Sequence, residues 1–215
     1  NNTAMGFGSL LCNTTGSCNT AQGFWSLNSN TTGTNNTASG YVSLACNTTG
    51  CNNTAVGALS LRSNTTGVGN QAFGYQTLEC NTTGCINIAV GYLALLNNVS
   101  GNYTIGIGSS AGGANCTGHC NTSIGVSAGR ANVSGGCNVS IGPLAARCGN
   151  GVCQNIAIGT CSLFLNASGS DNLMMGHLAG YATNAHNNMG IGTQALQCNT
   201  TGINNAAVGY GALNC

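Results

Sequence analysis

The sequence predicts an all-β fold, a parallel β-solenoid (β-roll) of about thirteen 17-residue rungs, as a single domain over 1–215. Three observations predict it. One glycine recurs at a fixed interval, and the columns set by that interval each hold one kind of residue. Composition disfavours helix, with 35 Gly and abundant Asn and Thr.

The register glycine runs from Gly6, Gly23 and Gly40 to Gly176 in steps of 17 residues, takes one step of 16 to Gly192, and ends with 17 to Gly209. Two packed helices need about 34 residues per repeat. A 17-residue unit suits one coil with two short strands and two turns.

Each unit opens on a turn. Ten residues before the glycine stand Asn13, Asn30, Asn47, Asn64, Asn81, Asn98, Asn115, Asn132, Asn166 and Asn199, each starting an N-x-[ST] sequon followed by Gly. Turn chemistry alone accounts for Asn and for a Gly at positive φ. It leaves unexplained why the third position stays Ser or Thr while the second drifts to Val99, Cys116, Val133 or Ala167. The column is therefore expected to carry N-linked glycan. Further sequons begin at Asn1, Asn35, Asn52 and Asn102, and at Asn121 and Asn138.

Four residues before the glycine lies a second Asn column, including Asn2, Asn19, Asn36, Asn53, Asn70 and Asn87. Most of its members are not sequons. An Asn ladder is expected there, with stacked amides bonding from rung to rung. Asn121 and Asn138 fall in this column and are expected to be buried and unmodified.

The strand follows. Two residues before the glycine the side chain is Ala, Gly or Ser in every unit but the one with Met174. The residue just before the glycine is large and apolar in most units, as in Val56, Phe73, Val90, Ile107 and Ile158. Four places after it, Leu occurs in nine of the thirteen units. Large columns beside small ones are expected to form the core layers.

Of the 14 Cys, five pairs bracket the turn: Cys12 with Cys18, Cys46 with Cys51, Cys80 with Cys85, Cys116 with Cys120, and Cys148 with Cys153. Each loop is short enough for a disulfide if the Cα atoms approach within about 7 Å. Cys198 and Cys215 share a column in consecutive rungs, so they are expected to bond each other, or Cys215 a neighbouring subunit. Cysteines with sequons indicate an oxidising, secreted or cell-surface setting. His119, His177 and His186 make no repeated four-ligand set with them, so no metal site is expected. No cofactor is implied.

Only Arg62, Arg130, Arg147, Glu79 and Asp171 carry charge. So few cations cannot neutralise a row of phosphates, which argues against nucleic-acid binding. No run of 18 apolar residues suggests a membrane span. No acid–base pair stands outside the repeat, so an enzyme is not expected and no catalytic residue is assigned. A surface this poor in charge tends to self-associate unless sugar or assembly covers it.

The chain opens and closes on the repeat without a polar cap, from which head-to-tail stacking into a fibre is expected. At roughly 4.8 Å per rung, one chain is a rod about 60 Å long.

The steps at Asn138–Ala145, Thr122–Gly129 and Thr104–Gly112 read N-V-S-I-G-P-L-A, T-S-I-G-V-S-A-G and T-I-G-I-G-S-S-A-G. They resemble the head repeats of trimeric autotransporter adhesins of the YadA type, and the longer N-T-A-V-G-Y units are similar to repeats of phage tail and other surface fibres. The resemblance implies a parallel β-roll, a trimer and an adhesive surface. The density of cysteines and sequons departs from that pattern, and no coiled-coil stalk or membrane anchor follows.

Together these readings predict a structural subunit of an extracellular, N-glycosylated fibre whose partners are copies of itself, as a head-to-tail fibre or a trimer, and covalent glycans. The rivals are an adhesin head or viral fibre binding module, and an ice-binding solenoid built on arrays such as Thr14 with Thr15 and Thr31 with Thr32.

Overall fold

The computed structural model describes residues 1–214 as one parallel sheet of thirteen strands stacked in sequence order, from β1 (Thr3–Met5) to β13 (Ala206–Val208). Each strand has three residues and pairs with the same three positions of the next unit. Between β2 (Thr20–Gln22) and β3 (Thr37–Ser39) the partners are Thr20 with Thr37, Ala21 with Ala38 and Gln22 with Ser39. The missing residue of the twelfth unit leaves this register intact. In β11 (Leu173–Met175) and β12 (Met189–Ile191), Leu173 still faces Met189. The deletion is absorbed in the turn before Ala185, whose carbonyl takes the Asn172 amide at 2.8 Å.

One strand per rung is formed, where two were expected. The return arm has left-handed residues two and four places after the glycine, such as Trp25 (φ 54°) and Leu27 (φ 49°), which interrupt any extended run. Its backbone nevertheless bonds between rungs. The Trp25 amide donates back to Phe7 O at 2.9 Å, and the Leu27 amide donates forward to Ser43 O at 3.0 Å. The arm thus satisfies its polar groups without a second sheet.

The strand also turns its large residues the other way from the expectation. Successive side chains of a strand alternate in direction, and here the middle residue points inward. Ala21, Ala38, Ala55, Ala72 and Ala89 are fully buried, whereas Val56, Phe73, Val90, Ile107 and Met175 face out. The column before the glycine is therefore an outer surface. The lumen of a 17-residue coil admits one large apolar column, and the Leu column (Leu27, Leu44, Leu61, Leu78, Leu95) fills it.

Two glycine columns are fixed for different reasons, the second interrupted by Val152 and Ala185. Gly57 has φ +127°, and a Cβ on it would lie 2.7 Å from the carbonyl carbon of Gly74 in the next rung. The N-T-T-G glycine, expected at positive φ, is not in that region. At Gly50 a Cβ would meet Gly67 O at 2.5 Å and Asn64 Nδ2 at 2.9 Å. Close approach of the neighbouring rung's backbone and amide excludes a side chain there.

The apolar core is interrupted. One cluster runs from Leu10 and Ala21 to Leu95, and a second from Ala145 to Ala207. Between them Gly112 and Gly129 replace Leu, and Ser123 and Ser140 replace Ala. In the eleventh unit a size exchange keeps the core filled: Met174 replaces Ala, and its Sδ reaches within 2.7 Å of where a Gly180 Cβ would lie, at a Leu position.

Candidate functional site

Both Asn columns point inward and form ladders. In the column before the strand, the Asn36 backbone N–H donates to Asn19 Oδ1 at 2.9 Å, and Asn36 Nδ2 donates to Gly50 O at 2.8 Å. The same pattern joins Asn2 to Asn19, then Asn53, Asn70 and Asn87. Side chain and backbone are bonded together, rather than amide to amide alone. Asn121 and Asn138 are buried in this column.

The turn column forms a second ladder. Asn30 Nδ2 donates to Asn13 Oδ1 and to Gly33 O, and Asn47, Asn64, Asn81, Asn98 and Asn115 repeat the pair of bonds. These six are buried, five of them completely. A glycan would have to grow from a nitrogen whose two hydrogens are both donated and which has no path to solvent. Asn132 and Asn166 are buried as well, and half-buried Asn13 and Asn199 donate into the same turn at Gly16 O and Gly202 O. The glycan expected on this column would have to displace these bonds. The constant Ser or Thr two places on has no buried role that explains it.

The remaining sequons sit differently. Asn1, Asn35 and Asn52 are exposed at the corner before the strand, Asn35 and Asn52 with φ 57° and 59°. Asn102 is half-buried and its Oδ1 accepts from the Cys85 amide at 2.6 Å.

All thirteen described cysteines are free thiols in this structure, where turn-bracketing disulfides were expected. Cys12 is not bonded to Cys18, nor Cys46 to Cys51, Cys80 to Cys85, Cys116 to Cys120, or Cys148 to Cys153. In two of the five turns the ends are tied to different rungs. The Cys12 amide donates forward to Asn28 O at 3.0 Å, whereas the Cys18 amide donates back to Asn1 O at 2.7 Å. Likewise the Cys116 amide donates forward to Val133 O, and the Cys120 amide donates back to Asn102 O. Cys18 and Cys120 occupy the left-handed corner, at φ 59° and 57°, and their thiols are exposed.

Several other thiols face adjacent rungs. Cys51 Sγ accepts from the Thr34 amide, Cys85 Sγ from the Val68 amide and Cys153 Sγ from the Gly136 amide, each at 3.4 Å, while Cys80 Sγ lies 3.9 Å from Asn97 Oδ1. Partial burial, together with the carboxylate of Glu79, pushes the Cys80 thiol pKa up. Cys198 is exposed, and its suggested partner Cys215 lies outside the described residues.

The outward strand face was missed by the sequence reading. In β1 to β3 and β4 (Thr54–Val56) it is mixed and rich in Thr: Thr3, Thr20, Thr37 and Thr54. From β6 (Ile88–Val90) through β12, every outward residue except Thr122 is aliphatic or Met. The signal lay in the nearly always small middle residue of each strand, which marks the inward position and forces its neighbours out.

Beside this face, after the glycine, aromatic rings stack along the rod. Phe7, Phe24 and Tyr41 are spaced 5.6 Å centroid to centroid, as are Tyr75 and Tyr92. Four of the five charged residues occupy another column, where Arg62 pairs with Glu79 at 3.1 Å and Arg147 lies over the Phe164 ring, and Asp171 sits at the corner before the strand.

The Thr array proposed for ice is partly engaged. Thr14 Oγ1 donates to Thr31 O at 2.9 Å, and Thr31, Thr48, Thr65 and Thr82 repeat this to the next rung. Among the described residues no group of three or more His, Cys, Asp or Glu side chains could hold a metal ion, and no helix is long and apolar enough to cross a membrane. No family model matches the chain, and neither a curated protein nor a solved structure matches it.

Proposed function

We propose that this chain is a rod-forming structural segment of an extracellular fibre, and that it self-associates laterally through the apolar strand face. The observation that carries this reading is the run from Ile88 to Ile191 of outward Ile, Val, Leu and Met, uncharged and broken only by Thr122. At about 4.8 Å per strand this strip is roughly 35 Å long, and a contiguous apolar patch of that extent marks an interaction surface. Its period is that of the rod itself, and another copy of the rod offers a surface of matching period and chemistry. Association through it buries side chains that have no charge to desolvate.

The protein's contribution in this reading is stiffness. Two Asn ladders, one Leu column and inter-rung backbone bonds tie each coil to the next, and among the described residues no loop leaves the stack. N-linked glycan, where present, is carried by Asn35 and Asn52 at the exposed corner. This placement keeps sugar off the apolar face.

An adhesive module is the second reading, favoured by the exposed ring stack of Phe7, Phe24 and Tyr41 with Trp25 beside it.

Sedimentation velocity and electron microscopy of the purified chain test the proposal. Assemblies with laterally joined rods are expected at micromolar concentration, and Val90→Lys with Ile107→Lys is expected to return monomers with unchanged circular dichroism. A monomeric wild-type rod at tens of micromolar would exclude lateral assembly.

A further inference from the structure

The break in the core leaves a cavity of about 20 Å³, whose lining includes Gly112, Ser123, Gly129, Ser140, Asn115 and Asn132. Its origin is compositional. In the second to sixth rungs Ala and Leu fill this space, whereas here the same columns read Ser123 with Gly129, and Ser140 with Ala146. Leu95 leans into the upper edge, 2.6 Å from where a Gly112 Cβ would lie, and no comparable side chain reaches further.

The hydrogen-bond accounting changes at the same place. In a regular rung the turn Asn donates twice, as Asn64 does to Asn47 Oδ1 and Gly67 O. Asn132 Nδ2 donates only to Gly135 O, and Asn115 Oδ1 receives Asn121 Nδ2 at 3.3 Å. One Asn132 N–H is left over. Ser123 and Ser140 are 4% and 2% exposed, and neither hydroxyl has a side-chain hydrogen bond within the protein among the described residues. Three polar groups in need of partners therefore line one cavity.

We propose that this cavity is a built internal water site, holding one or two ordered water molecules that bridge the Ser123 and Ser140 hydroxyls to Asn132 Nδ2. A cavity needs about 10–15 Å³ by this measure and two to four polar partners to hold a water, and both conditions are met. A dry cavity would leave all three groups unsatisfied at a cost that native structures avoid. The water takes the place of the Leu and Ala side chains as filler, so the rod carries a hydrated plug between two apolar cores.

Oxygen-17 magnetic relaxation dispersion of the intact chain tests this. Wild type is expected to show a slowly exchanging component of one to two waters. Ser123→Ala with Gly129→Leu rebuilds the consensus filling, at a position whose φ of +58° matches the Leu column, and is expected to abolish that component. Should the Leu variant fail to fold, Ser123→Ala with Ser140→Ala removes two partners and is expected to reduce the component at least twofold. A wild-type amplitude no greater than that of either folded variant would overturn the site.

Discussion

Asn47 donates from Nδ2 to Oδ1 of Asn30, one rung earlier, at 2.8 Å, and its other amide hydrogen goes to Gly50 O. A glycan on this nitrogen would cost both of these bonds. Glycopeptide mass spectrometry of material from a glycosylating host is expected to find Asn30, Asn47, Asn64, Asn81 and Asn98 bare, and any N-linked sugar at Asn35 or Asn52. Occupancy of the buried five in folded protein would contradict the ladder.

Removing one member of that ladder leaves its neighbour unsatisfied. Asn64→Ala deletes two donated bonds and strips the Asn81 amide of its acceptor. Chemical denaturation is expected to show a loss of about 2–3 kcal/mol, the scale of an unpaired buried polar group plus the bonds lost.

The glycines separate into required and replaceable ones. Gly57→Ala puts a Cβ 2.7 Å from the Gly74 carbonyl carbon at φ +127°, and a loss of about 3 kcal/mol or more is expected. Gly69, at φ +71°, has its nearest neighbour 3.4 Å away, at the position where Asn52 has φ 59° and Ile86 φ 57°. Gly69→Asn is expected to change the melting temperature by no more than a few degrees.

Met174→Ala should open a void against Gly180 and Gly190 and cost about 2–5 kcal/mol. Adding Gly180→Leu restores the arrangement of other rungs, where an inward Ala meets an inward Leu, and is expected to recover most of that loss. A double-mutant cycle on thermal unfolding measures the coupling.

Cys80 is expected to alkylate more slowly than the exposed Cys12, Cys18 and Cys120. Its pKa is raised by burial and then by Glu79, so at a given pH less of it is thiolate, and its labelling midpoint moves to higher pH. Timed iodoacetamide labelling with peptide mapping reads this directly.

The period, the register and the solenoid were legible from the glycine alone, because stacking identical rungs fixes which residues meet. The direction of each side chain was less so. Large apolar residues before the glycine suggested a core, yet the fully buried Ala38 and Ala55 show that a lumen this narrow selects for smallness. Asn47 is ambiguous in sequence for a related reason. An N-T-T sequence has the form of a sequon whether its amide faces solvent or the next rung, and only the burial of Gly50 between two rungs distinguishes the cases. Nearness of two cysteines along the chain says nothing of which rung each one is tied to. Cys18 and Cys120 are held to the rung behind while Cys12 and Cys116 are held to the rung ahead, and the Cys51 and Cys85 thiols turn toward an adjacent rung.

Every strand of this sheet bonds only to the rungs on either side, and the one-residue deletion before Ala185 vanishes within a turn. Copy number is therefore free to drift. Slipped replication or unequal recombination between near-identical units would add or delete whole rungs without creating a new kind of contact. A gene of this design can retune the reach of its product by heredity alone, one coil at a time, while every surviving interface stays familiar.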